Sequence, residues 1–367
     1  MLKLAVIGGD GIGPEVTDQG LRCLEKLARQ HGFDYDARKL PYSGGRYLKE
    51  NVVITDAEIA DLRENYDAIY LGAVGTPDVP PGVVERGLLL KMRFELDQYI
   101  NLRPVKLLPG VRTPLAGKGP EHIDMVVVRE NTEDLYCGIG GFLRKGTPHE
   151  VATQEMIATR MGVDRCLKYA FDLTMTRPRK KLTLVGKTNV LTFAHDLWMR
   201  AFNEMGEQYP QVTREYHHVD ACCMYMVSKP EIYDVIVTTN MFGDIITDLG
   251  AAIAGGMGVA ASGNLNPQFT PEGRRDNRGG GPGMYEPVHG SAPDIAGQNK
   301  ANPIAAILSM AMLLRETGRI KGDAKLVAAG EALEAAVVKV CPRWAGQNMD
   351  RLDVGTKEVA EAVMGNF

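Results

Sequence analysis

Leu4-Ala-Val-Ile-Gly-Gly-Asp-Gly-Ile-Gly-Pro14 packs a strand, a turn and a helix start into eleven residues. Leu4 to Ile7 has the apolar continuity of a buried strand. Gly8 to Gly13 turns the chain, and Pro14 suits the first turn of a helix, where its missing N–H is not needed. Val16, Leu21, Leu24, Leu27 and Ala28 then recur at roughly helical spacing. A strand that turns directly into a helix is the unit of an α/β layered protein. The glycine spacing excludes a Rossmann pyrophosphate loop. That loop needs a third glycine where Gly9-x-Gly11-x-x runs into Pro14.

The same alternation extends outward. Ala68 to Leu71 reads as a strand ending in Gly72-Ala-Val-Gly-Thr-Pro77. Asp124 to Val128 is another, with Arg129 at its end. Leu182 to Val185 is followed by Lys187, and Val235 to Val237 leads to Asn240 and a helix from about Phe242. Sites in open α/β sheets lie beyond the carboxyl ends of strands, so charged residues at those ends point to an enzyme. From Gly255 the chain becomes loop-rich, notably Pro267 to Gly283. Helical patterns return at residues 302–317 and 322–340. The basic run Arg177 to Lys181 reads as a solvated connector.

Composition bounds the function. The 367 residues suit two domains, and 44% hydrophobic with 24% charged residues is ordinary globular usage. A formal charge of −4 argues against a nucleic-acid coat. No apolar run reaches membrane-spanning length, the longest being Ile304 to Leu314, and no signal peptide is expected. The six cysteines form no C-x-x-C pair, so reduced thiols and a cytoplasmic location are expected.

Several residues could carry chemistry. Asp244 and Asp248 lie four apart, which on a helix sets two carboxylates on one face. A hard divalent cation such as Mg²⁺ or Mn²⁺ would relieve their repulsion. Asp220 could add a third carboxylate. Two solvated acids on a surface helix fit the spacing equally well. Arg93, Arg103 and Arg129 could clamp a di- or tricarboxylate if they converge, although each alone reads as a surface or ion-paired arginine. Tyr136 and Lys187 are candidate proton-transfer groups; a packed tyrosine and a solvated lysine are the plainer readings. His217 and His218 read as structural.

Taken together, the motifs resemble the β-decarboxylating hydroxyacid dehydrogenases, the family of 3-isopropylmalate, isocitrate and D-malate or tartrate dehydrogenases. The resemblance spans nearly the whole chain. It rests on Gly9 to Val16, Asn101-Leu-Arg-Pro104, Val128 to Glu133 with Tyr136, Lys187-Thr-Asn189 and Val219-Asp220. It continues through Asn240 to Asp248 and Glu286 to Gly297 with Ala301-Asn-Pro303. It implies an α/β two-domain fold like that of isopropylmalate dehydrogenase, with a mixed, non-Rossmann sheet and helices on both faces. Residues 1–98 and 255–367 would form a discontinuous first domain on the cofactor side. Residues 99–254 would form the second, with a strand pair after Tyr136 clasping two subunits into a homodimer.

The resemblance also implies roles. Arg93, Arg103 and Arg129 would bind substrate carboxylates. Asp244 and Asp248 would bind the metal together with the partner's Asp220, which also borders the substrate. Lys187, again from the partner, would help deprotonate the C2 hydroxyl, and Tyr136 would protonate carbon after CO₂ leaves. His289, Gly290, Ser291, Ala292, Asp294 and Asn302 would bind the cofactor. Asp294 matches the acid that accepts from the adenosine ribose, which implies NAD.

Substrate choice is expected just before Arg93. Isocitrate enzymes resemble Ser-x-Asn where this chain has Gly87 and Leu89. The malate and tartrate branch tends to carry Trp-Gly-Ser where it has Arg86-Gly87-Leu88. Leu88, Leu89 and Leu90 offer apolar surface for an isopropyl group. The segment Glu85 to Arg93 is most similar to 3-isopropylmalate dehydrogenases of the actinobacterial type. D-malate or tartrate is the alternative substrate, isocitrate the third, and a catalytically silent subunit of the same fold the rival of another class.

Overall fold

The computed structural model describes residues 1–269 and 280–367. Most of the glycine-rich stretch 267–283 therefore lies outside the described residues. The opening segment folds as its pattern dictates. Strand β1 (Leu2–Gly9) runs through the turn into helix α1 (Gly13–His31), with Pro14 in its first turn. Val16, Cys23, Leu24 and Leu27 are fully buried along one stripe, and left-handed Gly32 ends the helix.

The glycine turn has a structural task. Gly11 has φ +57°, and a Cβ there would collide with the carbonyl of Ser291. That carbonyl accepts the Ile12 N–H at 2.8 Å. Asp10 accepts the N–H groups of Gly44, Gly45 and Gly75 at 2.8, 3.0 and 3.0 Å. Glu15 accepts the Gly297 N–H at 2.8 Å. The motif thus ties the chain start to two loops and to the segment 291–297.

Ten strands form one mixed sheet in the order β2-β1-β3-β12-β11-β4-β5-β10-β8-β9. The remaining members are β2 (Tyr35–Leu40), β3 (Ala68–Ala73), β4 (Ile100–Lys106), β5 (Asp124–Glu130), β8 (Lys181–Gly186), β9 (Thr213–His218), β10 (Val235–Thr238), β11 (Ala261–Leu265) and β12 (Gly283–Pro287). Both ends of the sheet are parallel. Between them β12–β11, β11–β4 and β4–β5 are antiparallel. β11 falls where the sequence suggested only loop. Its Ser, Gly and Asn carry no strand signal, yet all five of its residues are buried. A separate hairpin, β6 (Gly140–Leu143) with β7 (Val151–Gln154), is exposed throughout.

The pleat of β4 separates two faces. Arg103 reaches Thr247 of helix α8 (Asn240–Ile253), whereas Lys106 reaches Glu334 of helix α10 (Ala324–Val340) on the other side. Helix α9 (Ile304–Lys321) is buried almost along its whole length between α10 and the sheet. All six cysteines are free, and burial pushes the Cys23, Cys222 and Cys341 thiols up to about 12. No helix of the described residues is long and apolar enough to cross a membrane.

Candidate active site

Three arginines converge from three elements. Arg93 lies on the short helix α4 (Lys91–Glu95), Arg103 on β4 and Arg129 on β5. They are 7%, 9% and 1% exposed, so they are not surface arginines. Arg129 donates through Nε and Nη2 to Asn240 Oδ1 at 3.0 and 2.7 Å, and through Nη1 to Asp244. Arg103 donates to Asn101 Oδ1 and Thr247 Oγ1, both at 2.8 Å, and lies 4.0 Å from Asp244 and 3.7 Å from Asp248. Arg93 pairs with Glu286 at 3.3 Å, and its Nε is buried without a partner. Burial pushes Arg103 and Arg129 below the ordinary guanidinium value, and Arg93 adds to the effect.

The carboxylates face this cluster. Asp244 is held below its usual range. Burial opposes its charge, but Arg129, Arg103 and a hydrogen bond from Tyr136 outweigh it. Asp248, one turn on, is pushed up by burial and by the Asp244 carboxylate. Tyr136 Oη donates to Asp244 Oδ2 at 2.9 Å, and the Arg129 guanidinium lies 5.1 Å from its ring centre. Burial, with the Asp244 carboxylate, keeps its phenol pKa above 10.0.

Two local features hold these groups in place. Asp134 sits at φ +68°, which costs a non-glycine residue about 1 kcal/mol. Its carboxylate accepts the Met241 N–H at 2.8 Å, capping α8 where Thr239 supplies no side-chain cap. This fixes α8 against the turn that carries Tyr136. At Gly243 a Cβ would collide with the Arg129 side chain, so the glycine lets the helix approach the strand.

Sequence reasoning passed over the polar groups beneath the arginines. Asn264 Oδ1 accepts from Asn101 and Asn131 at 3.0 and 3.1 Å, and its amide donates to Glu286 at 2.9 Å. Asn101 and Asn131 stand inside the quoted motifs, but only the packing reveals them as supports. A cavity of about 320 Å³ lies behind Arg103 and Thr247, bordered on its far side by Arg315, Glu316 and Arg319. Arg315 and Arg319 each pair with Glu316 there at 3.0 Å.

Lys187 and Asp220 stand apart from this cluster. Lys187 Nζ pairs with Asp220 Oδ2 at 2.8 Å, across the ends of β8 and helix α7 (Val219–Ser228). Among the described residues of one chain, no three His, Cys, Asp or Glu side chains are grouped to hold a metal. His217 and His218 bond Tyr233 and Tyr216 at 2.8 and 3.2 Å, a structural role.

Residues 85–90 form a π-helical turn that runs into α4. Leu88 is fully buried in a core cluster, so it offers no surface to a substrate, contrary to the sequence reading. Leu89 packs partly against the same cluster. Leu90 is half-buried and belongs to neither cluster among the described residues. Leu89 and Leu90 thus keep partial exposure, and of the two only Leu90 stands outside both core clusters.

The segment after β12 is open. Asp294 and Gly290 are exposed; Ser291 and Ala292 are half-buried, with Ala292 at φ +37°. The buried Nε2 of His289 has no partner. Asn302 is engaged within the chain, donating to the Met349 carbonyl at 2.7 Å and accepting the Ile304 N–H at 3.0 Å.

The chain is 55% identical over 325 residues to the 3-isopropylmalate dehydrogenase of Thermobifida fusca, covering 89% of each chain. It is 52% identical over 361 residues to that of Corynebacterium diphtheriae, covering 98% of this chain and 99% of the relative. Among solved structures, isocitrate dehydrogenase from Methylococcus capsulatus superposes with a TM-score of 0.84 at 33% identity, covering 100% of this chain and 99% of that one. The isocitrate/isopropylmalate dehydrogenase family model matches residues 3–363, and the chain belongs to that family.

Proposed function

We propose that the protein is an NAD-dependent 3-isopropylmalate dehydrogenase of leucine biosynthesis, acting as a homodimer with shared active sites. The reaction is oxidation and decarboxylation of (2R,3S)-3-isopropylmalate to 4-methyl-2-oxopentanoate. The carrying observation is that buried Arg103 and Arg129 both pair with Asp244, while buried Arg93, three residues after Leu90 and close enough to act on both arginines, pairs with Glu286. Three guanidinium groups match the substrate's two carboxylates and its C2 oxygen, and the leucine matches the isopropyl group. The names of the relatives support the same substrate.

The donor set fits a divalent cation. Asp244 and Asp248 present oxygen ligands one turn apart, and burial together with the neighbouring Asp244 carboxylate pushes Asp248 up, which a bound cation would relieve. Asp220 of a second chain would complete the set. A divalent cation held by these carboxylates would supply polarisation of the C2 oxygen, and NAD held by the segment after β12 would supply the hydride acceptor. The chain's own residues do the rest. The arginines orient the carboxylates. Lys187 of the partner subunit helps deprotonate the C2 hydroxyl, and Tyr136, kept protonated by burial, gives a proton to carbon after CO₂ leaves. Partnerless His289 Nε2 and exposed Asp294 suit the adenosine of NAD.

The two-domain reading divides the sheet between β11 and β4. Strands from residues 1–98 and 255–367 lie on one side of that line and those from 99–254 on the other. Met224 and Val227 on α7, Ile245 beside Asp244 on α8, and Phe142 and Leu143 on the hairpin are exposed apolar side chains that a second copy would cover.

The test is NADH formation at 340 nm with 3-isopropylmalate, D-malate, tartrate and isocitrate, each with NAD or NADP and with chelator. A clear kcat/KM preference for 3-isopropylmalate with NAD is expected. A preference for D-malate or tartrate would overturn the substrate assignment alone.

A further inference from the structure

One buried side chain outside the arginine cluster touches the backbone of Lys187 and the ring of Phe242. His195 lies at the start of helix α6 (Ala194–Gly206) and is 1% exposed. Its Nδ1 accepts the backbone N–H of Lys187 at 3.0 Å. On its other side the ring stacks at an angle of 51° on Phe242, 5.4 Å between centres, two residues from Asp244. A Cβ at position 186 would crowd His195 Nδ1, so the glycine before Lys187 makes room for the imidazole.

Several neighbouring backbone groups are already engaged. The Thr188 N–H goes to Tyr216 Oη at 3.0 Å. The Lys187 carbonyl accepts from Val190 and Leu191 at 3.1 and 2.9 Å, and the Leu191 carbonyl takes the His195 N–H at 3.1 Å. Lys187 is the first residue beyond β8, so its own N–H has no strand partner and depends on the imidazole. From that anchor the side chain reaches Asp220 at 2.8 Å.

We propose that His195 is a positioning residue for Lys187, its Nδ1 fixing the lysine backbone and so the direction of the amine. The inference rests on the function proposed above for Lys187. An acceptor at Nδ1 requires the proton on Nε2. Burial pushes the imidazole down to about 4, so the ring stays a neutral acceptor near neutral pH. A protonated ring would set a donor against a donor.

The test compares two variants of the intact enzyme with 3-isopropylmalate, NAD and Mn²⁺. His195→Leu removes the acceptor. His195→Asn restores one near the Nδ1 position. The expected result for His195→Leu is a fall in kcat of about 10- to 100-fold, the scale of a misplaced catalytic group. KM should change by less than about two-fold, because substrate binding is left intact. His195→Asn should recover most of kcat. Unchanged kcat in His195→Leu, or equal losses in both variants, would overturn the inference. If His195→Leu does not fold, the ¹⁵N spectrum of the native protein at pH 7 decides instead. A proton on Nε2 with a bare Nδ1 supports the inference, and a protonated Nδ1 sinks it. Lys187→Ala, run in parallel, separates the two readings. An active Lys187→Ala removes the role of the lysine itself. An inactive one beside an unimpaired His195→Leu removes only the role of the histidine.

Discussion

Tyr136 Oη and Asp244 Oδ2 are joined by a 2.9 Å hydrogen bond, while the other oxygen of that carboxylate takes Arg129. One carboxylate thus sits between the proposed acid and a proposed substrate arginine. The link crosses 108 residues of chain and exists because Asp134, two residues before Tyr136, caps the helix that carries Asp244.

Tyr136→Phe keeps the ring against Arg129 and removes the hydroxyl, and with it the transferable proton and the hydrogen bond to Asp244. Loss of a general acid typically lowers turnover about 10²- to 10⁴-fold. Steady-state kcat should fall on that scale with KM for 3-isopropylmalate little changed. Undiminished kcat would exclude Tyr136 as the acid.

Sharing of the site between two chains has a sharp consequence. Lys187 and Asp220 pair with each other, away from the arginine cluster. Lys187→Ala and Asp244→Asn should each be inactive alone. Mixed by denaturation and refolding, they should regain about a quarter of native activity. Half of the dimers would be hybrid, and each hybrid holds one intact site. No recovery on mixing would place Lys187 and Asp244 of the same chain in one site.

Leu90 should discriminate among substrates. Deleting most of an apolar side chain from a pocket is worth about 1–3 kcal/mol of discrimination. Leu90→Ala should therefore lower kcat/KM for 3-isopropylmalate about 10- to 100-fold and leave D-malate almost untouched. Equal losses for both substrates would move the isopropyl pocket elsewhere.

Glu130 sets a pH dependence of stability. It is 1% exposed, and burial pushes its carboxyl from 4.5 up to about 7, against hydrogen bonds from the Thr132 and Glu133 amides. Between these values the folded chain keeps a proton that the unfolded chain has released. Its stabilising contribution is complete below the lower value and is lost as pH rises through the upper one, on the order of 3 kcal/mol. Glu130→Gln does not titrate, so its melting temperature should fall less between pH 5 and pH 8 than that of the native protein. Identical slopes in the two proteins would rule out a proton on Glu130.

Local pattern carried much of the fold. The apolar runs at Leu4, Ala68, Asp124, Leu182 and Val235 are the cores of β1, β3, β5, β8 and β10. Parallel strands buried on both faces read as continuous apolar segments. β11, Ala-Ser-Gly-Asn-Leu, was invisible for the opposite reason. Its polar residues pay for burial through the Asn264 and Ser262 hydrogen bonds to Asn101, partners more than 160 residues away.

The sequence by itself determined the chemical inventory and the α/β layering, because residue type and short-range periodicity are local properties. Spacing listed Arg93, Arg103, Arg129, Tyr136, Lys187, Asp220, Asp244 and Asp248 without grouping them, and only the family resemblance assigned them shared roles. Tertiary structure alone decided that six converge while Lys187 and Asp220 form a separate pair, and that Leu88 faces the core while Leu90 does not. Such grouping depends on strand order in the sheet and on the angle at which α8 meets β5. Both are set by contacts among residues far apart in sequence, such as Asp134 with Met241 and Gly243 with Arg129.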